Sequence, residues 1–229
     1  MSIQGPDADA VRGLFSRIAS RYDLLNTLLS FGQDRRWRNV AARIAAPGPG
    51  ERFLDLAAGT GAFSKSLKYA EPEVCVVAAD FCFPILRLMP AGLGRRIAAD
   101  ALCMPFRAGT FDGLVIAFGI RNFSDPGRGL AEMNRVLKSG GRGLILEFFR
   151  PENSLAGFLY RVYLRLCIPI LGGILSGSFP AYRHLSGTIR RFSARSEFYA
   201  LLDASGFEVA GVRELSFGAA TAVEIRKKS

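Results

Sequence analysis

Short apolar runs alternate with helical stretches through the middle of this 229-residue chain, and the alternation restricts the fold more than any other feature. The runs are, in order, RFLDLAA, EVCVVAAD, RRIAAD, FDGLVIAFG and RGLILEFF. Strands that alternate with helices form a parallel sheet covered by helices on both faces. Two final runs, FEVAGVREL and TAVEIRKK, follow each other across a glycine-containing loop and predict an antiparallel end to that sheet. The pattern therefore predicts an α/β fold.

Composition indicates one globular domain over residues 1–229 with a basic surface. Hydrophobic residues make up 49% of the chain, and the formal net charge is +10. Such a charge suits nucleic acid, anionic lipid or an anionic substrate, with an ordinary basic surface as the plain alternative. The four cysteines have no metal-ligand spacing and no apolar signal peptide opens the sequence, so we expect a cytoplasmic protein.

Two segments flank the alternating region. Helical periodicity over 11–44 predicts an N-terminal helical cap, 1–46. Residues 151–192 form an apolar insertion that Arg161 and Arg165 interrupt, which makes it a poor membrane-spanning helix. We expect this insertion to form a lid.

A glycine-containing loop follows the first predicted strand, in the sequence LDLAAGTGAF. Gly59 and Gly61 allow a tight turn and a close approach of backbone to a ligand at the start of a helix. Asp55 precedes the loop, and Asp80 ends the second strand, 19 residues after Gly61, where a carboxylate commonly binds two ribose hydroxyls. Asp100 ends the third strand, within reach of an adenine amino group. Each aspartate alone is equally well explained as a solvated strand end, but together they predict an adenosyl cofactor.

The motifs that carry a family resemblance extend over nearly the whole chain. They are LFSRIASRYDLLNTLLSFGQDRRWR, DLAAGTG, DALCMPF and, most specifically, AFGIRNFSDPGRGLAEMNRVLKSGGRGLILEF. On these the chain resembles the class I S-adenosylmethionine-dependent methyltransferases, and within them the ubiquinone/menaquinone C-methyltransferases. The resemblance implies a Rossmann-like, seven-stranded, mostly parallel sheet with helices on both faces. It also implies C-methylation of a polyprenyl quinol, either demethylmenaquinol or a ubiquinol precursor, with S-adenosylmethionine as the methyl donor.

The resemblance places the cofactor contacts at specific positions. They are Thr60, Asp80, Asp100, Ala101 and Ala117. Ala62 departs from the family, which usually has an acid there, and Ala117 replaces a common serine. The element YRHLSGTIRRFS also differs from its family counterpart, which leaves the exact acceptor open.

Arg121 and Asn122 follow the fourth strand, next to the first strand and facing the expected methyl group. A quinol ring carbon becomes nucleophilic when the neighbouring hydroxyl loses its proton, so the site has to stabilise a phenolate. Arg121 can stabilise the oxyanion or polarise a water, and Asn122 can orient the hydroxyl. The alternative is a structural role for Arg121, either capping a helix or pairing with an acid such as Glu147.

The remaining predictions concern the acceptor and the partners. His184 is the only histidine and could act as a base within the insertion, although a lone histidine is more often a packing or surface residue. No metal is expected, because no cluster of histidines and carboxylates exists. A polyprenyl quinol stays in a bilayer, so we expect the basic, apolar insertion to contact an anionic membrane, peripherally on the inner face of the cytoplasmic membrane. Packing of the insertion onto the protein core or onto a homodimer partner is the alternative.

Three other functions stay open on the sequence. The altered element near His184 allows a different small or lipid acceptor. A non-catalytic adenosyl-cofactor binder would keep the same fold. A nucleic-acid methyltransferase suits the charge, but the chain has neither an NPPY-like tetrapeptide after the fourth strand nor a basic stripe with interleaved aromatics, so we expect no nucleic acid partner.

Overall fold

The protein is described here by a computed structural model, which covers residues 6, 7, 9, 11–13, 16, 19, 22–149, 162–167, 186–189 and 191–228. Six α-helices of the described chain bear on the site: α1 (Tyr22–Leu29), α2 (Gln33–Ala45), α3 (Ala62–Ala70), α4 (Phe83–Leu86), α5 (Pro126–Val136) and α6 (Arg195–Ala204). The strands are β1 (Arg52–Leu56), β2 (Cys75–Asp80), β3 (Arg95–Ala98), β4 (Phe111–Ala117), β5 (Leu137–Glu147), β6 (Phe207–Leu215) and β7 (Ala220–Lys227). A short 3-10 turn, Ile120–Asn122, follows β4.

The strands form one seven-stranded sheet in the order β3-β2-β1-β4-β5-β7-β6. β1 pairs in parallel with both β2 and β4, and β7 pairs antiparallel with β5 and β6. The predicted mostly parallel sheet with an antiparallel end is therefore confirmed. The strand order reverses at β1 and β4, so a crevice opens beyond the carboxyl ends of these two strands, where ligands bind in such sheets.

Apolar side chains alternate between the two faces of the sheet and pack against helices on each. Phe53 of β1 lies in a cluster with Trp37 of α2 and Phe63 of α3, while its neighbour Leu54 faces a second cluster. That second cluster holds Leu130 of α5 and Phe198 of α6. Because neighbouring residues of a strand point to opposite faces, β1 anchors both helical layers, and the prediction of helices on both faces is confirmed.

The described helices of the N-terminal segment are separated by a turn and do not form one continuous helix up to residue 44. Phe31 and Gly32 both have a positive φ, at 52° and 75°, and they separate α1 from α2. The periodic leucines end at Leu29, and Gly32 is a local turn signal that the prediction of the cap did not use. The turn lets α1 fold over the carboxyl edge of the sheet, where Asp23 touches the glycine loop.

Most of the predicted lid, 151–192, lies outside the described residues, as does His184. The described part includes the short helix Tyr163–Cys167, whose Tyr163 hydroxyl donates to the Leu29 carbonyl of α1. No helix among the described residues is both long and apolar enough to cross a membrane.

Candidate active site

A cavity opens at the carboxyl ends of β1, β2 and β4. The space inside it, open solvent at the mouth included, amounts to about 800 Å³. Its wall combines backbone of the strand ends with two carboxylates, one amide and a set of apolar side chains. The lining residues are Leu56, Ala57, Gly59, Asp80, Phe81, Cys82, Ile85, Ala99, Asp100, Ala101, Leu102, Ala117, Phe118, Gly119, Asn122, Phe123 and Ser124.

Asp80 ties the glycine loop to the end of β2. One carboxylate oxygen accepts the Gly59 amide and the other accepts the Cys82 amide, each at 2.8 Å. Burial raises the pKa of Asp80 to about 6, and the two amides work against that rise. The group is therefore ionised at neutral pH. Since a carboxylate has about four lone-pair sites, two remain for hydroxyl donors in the cavity.

Gly61 completes the loop and begins α3 in a left-handed conformation, with φ at 78°. A Cβ at this position would lie 2.5 Å from the Met89 Cγ, so the space beside the loop admits only glycine without a shift of Met89. The loop is therefore fixed both by its backbone conformation and by its packing.

Asp55 lies behind the loop, buried at the end of β1. One of its carboxylate oxygens accepts both the Ser64 amide at 2.8 Å and the Ser64 hydroxyl at 2.6 Å. Burial raises the pKa of Asp55 to about 7, although these bonds and the charge of Arg38 lower it. Asp55 does not line the cavity, and in this geometry it fixes the first turn of α3.

Arg121 is buried next to the cavity and pairs with an acid. Its guanidinium Nη1 donates to Glu147 at 2.5 Å, and its side chain lies over the Phe148 ring. Burial raises the pKa of Glu147, against the lowering effect of Arg121. The Arg121 Nε is buried and has no partner among the described residues. The same holds for the hydroxyl of Thr221, the residue of β7 that pairs with Glu147 of β5.

An aromatic stack connects this ion pair to the cavity wall. Phe148 stacks on Phe118 with ring centroids 4.3 Å apart and planes inclined by 19°, and Trp37 packs edge-on against both rings. Arg38 lies over the other face of the pair, 5.3 Å from the Phe118 centroid. The Arg121 guanidinium is therefore packed on a ring that stacks on Phe118, which lines the cavity.

The structure brings many of the residues that we predicted from the sequence to one cavity. The wall includes Gly59, Asp80, Asp100, Ala101, Ala117 and Asn122. Four others lie beside the cavity without lining it: Asp55, Thr60, Gly61 and Arg121. Arg121 pairs with Glu147, as in the structural alternative given for it from the sequence. Contact of Arg121 with the acceptor stays a prediction. The predicted role of His184 falls outside the described residues.

Sequence reasoning missed several residues of the site. Phe81 and Cys82 directly follow a strand end that we did predict, and Phe118 lies near the end of the predicted fourth run, so their position in the chain was the available signal. Asp23 is a different case: it accepts a hydrogen bond from the Thr60 hydroxyl at 2.7 Å. Nothing local in the sequence connects α1 with the glycine loop, because that contact depends on the turn at Gly32.

The cavity fits an adenosyl cofactor on three observations. An ionised carboxylate, Asp80, stands at the end of β2 for two ribose hydroxyls. Apolar side chains, among them Phe81, Ile85 and Leu102, can hold a flat base. Asp100 lies at the same end of the cavity. Among the described residues no group of histidine, cysteine and carboxylate side chains could hold a metal ion.

Comparison with known proteins places the chain among quinone-biosynthesis methyltransferases. A family model described as the ubiE/COQ5 methyltransferase family matches residues 4–227. A demethylmenaquinone methyltransferase from Thermus thermophilus is 46% identical over 213 residues, which cover 90% of this chain and 96% of that protein. A ubiquinone/menaquinone biosynthesis C-methyltransferase UbiE from Syntrophotalea carbinolica is 46% identical over 217 residues, covering 92% and 91%.

The solved structures support the fold. A methyltransferase from Thermotoga maritima, described as an S-adenosylmethionine-dependent enzyme and a possible histamine N-methyltransferase, superposes with a TM-score of 0.69. It shares 19% sequence identity, and the match covers 94% of this chain and 99% of that one. At this identity the likeness concerns the class I methyltransferase fold alone, not the acceptor.

Proposed function

The chain belongs to the ubiE/COQ5 methyltransferase family, and on this basis we propose that it methylates a ring carbon of a polyprenyl quinol, demethylmenaquinol or a ubiquinol precursor, with S-adenosylmethionine as the donor. One observation carries the proposal: the carboxylate of Asp80 and the amide of Asn122 line the same cavity at the carboxyl edge of the sheet. One end suits an adenosyl cofactor, and the other suits a hydroxyl of the acceptor.

The cofactor contacts would come from the glycine loop and from three strand ends. Asp80 would accept the ribose hydroxyls, and Asp100 with Ala101 would meet the adenine. Thr60 and Ala117 would meet the methionine part. When bound, S-adenosylmethionine supplies an electrophilic methyl group on a sulfonium. Asp55 would act indirectly, since its bonds to Ser64 fix the turn that carries the loop.

Activation of the acceptor requires removal of a hydroxyl proton, because the phenolate then donates electron density to the ring carbon. Asn122 would orient that hydroxyl from the cavity wall. Arg121 has one donor engaged with Glu147, and its buried Nε has no partner among the described residues. Because Arg121 does not line the cavity, it would act on the oxyanion through a bound water. Glu147 would hold the Arg121 guanidinium in place, and the positive charge of Arg121 would balance the charge of Glu147.

The segments around the cavity would control access to it. We propose that the cap, 1–46, covers the cofactor, because α1 contacts the glycine loop through Asp23 and Thr60. The insertion, 151–192, would cover the acceptor, with His184 as a further proton acceptor. A long prenyl chain favours work at a membrane surface, peripherally and on the cytoplasmic side. Contact of the insertion with a homodimer partner is the alternative arrangement.

A comparison of reduced and oxidised acceptor tests the proposal. Purified protein is given S-adenosylmethionine and a demethylmenaquinone with a short prenyl chain, either chemically reduced or left oxidised. We expect methylation of the reduced form only, because the quinone has no hydroxyl to deprotonate and its ring is electrophilic. Equal rates with both forms would refute the phenolate mechanism. Tight cofactor binding in calorimetry without any methylation would favour a non-catalytic binder.

A further inference from the structure

An unusual set of apolar side chains projects into solvent at the edge of the sheet where the cavity opens. Six of the eleven large hydrophobic residues that are exposed in the described part of the chain lie on α1, on the α1–α2 turn, on the helix around Tyr163 and on the β6–β7 turn. We refer to them as the apolar rim: Leu24, Leu28, Phe31, Val162, Leu166 and Phe217.

Two aromatic residues at the tips of turns dominate the apolar rim. Phe31 is 80% exposed and Phe217 is fully exposed. Each has a positive φ, 52° and 57°, a backbone conformation that a bulky residue rarely adopts. Glycine or asparagine would be easier to accommodate at both positions, and both would remove apolar surface from water. A large aromatic side chain at such a position indicates a role outside the fold of the chain itself.

The parts of the apolar rim are connected to one another. The Trp37 Nε1 donates to the Ser216 hydroxyl at 2.9 Å, and this hydroxyl lies 3.4 Å from the Gln33 side-chain oxygen. These contacts bind the start of α2, and with it the Phe31 turn, to the β6–β7 turn. The Tyr163 ring lies 6.4 Å from the Phe31 ring, which brings the Tyr163–Cys167 helix to the same face.

The outer face of α1 extends the apolar rim toward the glycine loop. Leu25 and Leu29 are buried, whereas Leu24 and Leu28 point outward, 60% and 47% exposed. Residues four apart share one face of a helix, so the two leucines form one apolar stripe. The hairpin tip lies at the carboxyl edge of the parallel strands, because β7 begins opposite the end of β5. The apolar rim therefore lies at the same edge of the sheet as the cavity.

Basic side chains adjoin the apolar rim. Arg35 and Arg36 are exposed in the first turn of α2, and Arg165 is exposed between Val162 and Leu166. Aromatic and aliphatic side chains with arginines between them are typical of surfaces that insert into the headgroup region of a bilayer. The net charge of +10 adds a general attraction to an anionic surface.

From these contacts we infer that the apolar rim is a docking surface for an anionic phospholipid membrane. Phe31 and Phe217 insert at the headgroup boundary, and the three arginines contact lipid phosphates. The choice of a membrane as the partner follows from charge complementarity and from the position of the apolar rim at the same edge of the sheet as the cavity. The inference rests in part on the proposed function, because an acceptor with a prenyl chain would pass from the bilayer to the cavity along this edge.

Vesicle co-sedimentation tests the docking surface independently of catalysis. The full chain is mixed with vesicles of phosphatidylglycerol and phosphatidylcholine, and with vesicles of phosphatidylcholine alone. The Phe31→Asn/Phe217→Asn variant removes the two tips, and asparagine accepts the left-handed backbone, so the fold is retained. We expect at least a tenfold loss of binding to the anionic vesicles. Arg35→Gln/Arg36→Gln should lose about 25-fold, at about fivefold for each charge.

Matched controls carry the same chemical changes at the opposite edge of the sheet. Tyr69→Asn removes an exposed aromatic near the end of α3, and Arg43→Gln/Arg95→Gln removes two exposed arginines. Both controls should bind vesicles within twofold of the wild type. The affinity of every variant for S-adenosylmethionine should also stay within twofold of the wild-type value. Equal losses in the controls, or no binding by the wild type, would overturn the inference.

Two further measurements separate the outcomes. If the wild type is a dimer by light scattering and the Phe31→Asn/Phe217→Asn variant is a monomer, with no vesicle binding by either, the apolar rim is a contact between copies and the inference fails. If vesicle binding follows the apolar rim but no quinol is methylated, docking stands and the proposed function fails. Activity of the variant on a short-chain quinol, with a loss confined to long-chain quinol in vesicles, supports both.

Discussion

Asp80 has two roles, one in ligand binding and one in the fold, which the sequence alone does not distinguish. It lines the cavity as the expected acceptor for ribose hydroxyls, and it also accepts the Gly59 and Cys82 amides. An alanine at position 80 would therefore remove a cofactor contact and leave the Gly59 and Cys82 amides without their carboxylate acceptor. Loss of a charge-assisted hydrogen bond costs roughly 1.5–3 kcal/mol, and loss of the acceptor for a buried donor about 1–3 kcal/mol.

We predict that Asp80→Ala weakens S-adenosylmethionine binding by at least about 100-fold and lowers the free energy of unfolding by about 1–3 kcal/mol. Calorimetric titration and urea unfolding measure the two effects. Asp112→Ala is the matched control, since Asp112 accepts the Arg52 amide and pairs with Lys138 at the opposite edge of the sheet. It should cost stability alone. A normal dissociation constant in Asp80→Ala would remove Asp80 from the cofactor site.

Arg121 can be tested apart from cofactor binding because it does not line the cavity. We predict that Arg121→Lys lowers kcat by about 100-fold with a cofactor Kd within twofold of the wild type, since an ammonium cannot hold Glu147 and a water on the oxyanion in one planar fork. Glu147→Gln should cost about 3–5 kcal/mol of stability, because it leaves a buried guanidinium unpaired. A stable Arg121→Lys variant with a normal kcat would show that the arginine is structural.

The contact between α1 and the glycine loop is a tertiary contact between two elements of the fold. Asp23 brings a carboxylate to a loop in which Ala62 offers none, and its hydrogen bond with Thr60 is the described side-chain link between helix and loop. Asp23 is exposed, so the link matters little for global unfolding. It bears on the cofactor, which lies under the same loop in the proposed site.

We predict that Asp23→Asn and Thr60→Val each weaken cofactor binding by about fivefold, which corresponds to about 1 kcal/mol for one hydrogen bond. The double variant should be no weaker than either single one, because both changes remove the same contact. Fully additive losses in this cycle would mean that the two side chains act separately. Unfolding curves of all three variants should match the wild type, which excludes a general loss of structure.

The elements of the sheet follow from the sequence because their apolar runs end at recognisable residues. Asp80 and Asp100 were placed at strand ends by this pattern and Ala117 by the family resemblance, and all three line the cavity. β3 itself ends at Ala98, two residues before the expected end at Asp100. The contacts that cross between elements did not follow. The prediction of the cap did not use Gly32 as a turn signal, and the Asp23–Thr60 hydrogen bond depends on that turn. The pairing of Arg121 with Glu147 depends on packing around Phe148. Local pattern carries no information on such tertiary choices.

The two buried aspartates make the stability of the cofactor-free protein depend on pH. The pKa values of Asp55 and Asp80 are raised to about 7 and about 6, above the value of about 4 expected in the unfolded chain. The folded state therefore holds protons more tightly, and the burial of charge penalises it at high pH. The penalty is relieved as the pH falls through 7 toward 6.

We predict that the free energy of unfolding without cofactor rises by about 1–2 kcal/mol from pH 8 to pH 6, while affinity for S-adenosylmethionine falls below about pH 6 as Asp80 takes up a proton. Urea unfolding and calorimetry over this range measure the opposed trends. Asp55→Asn should flatten the stability profile and leave the binding profile in place. Stability that declines steadily from pH 8 to pH 6 would contradict the assignment.

The most direct measurement on the molecule as an enzyme is the fate of a labelled methyl group. The purified protein is incubated with S-adenosylmethionine carrying a ¹³C methyl group and with reduced demethylmenaquinone, and the product is examined by mass spectrometry and NMR. The proposed function predicts one labelled methyl on a ring carbon, together with S-adenosylhomocysteine in equal amount. A label on an oxygen or nitrogen, or no transfer to the quinol under conditions where the cofactor is bound, would contradict C-methylation by this site.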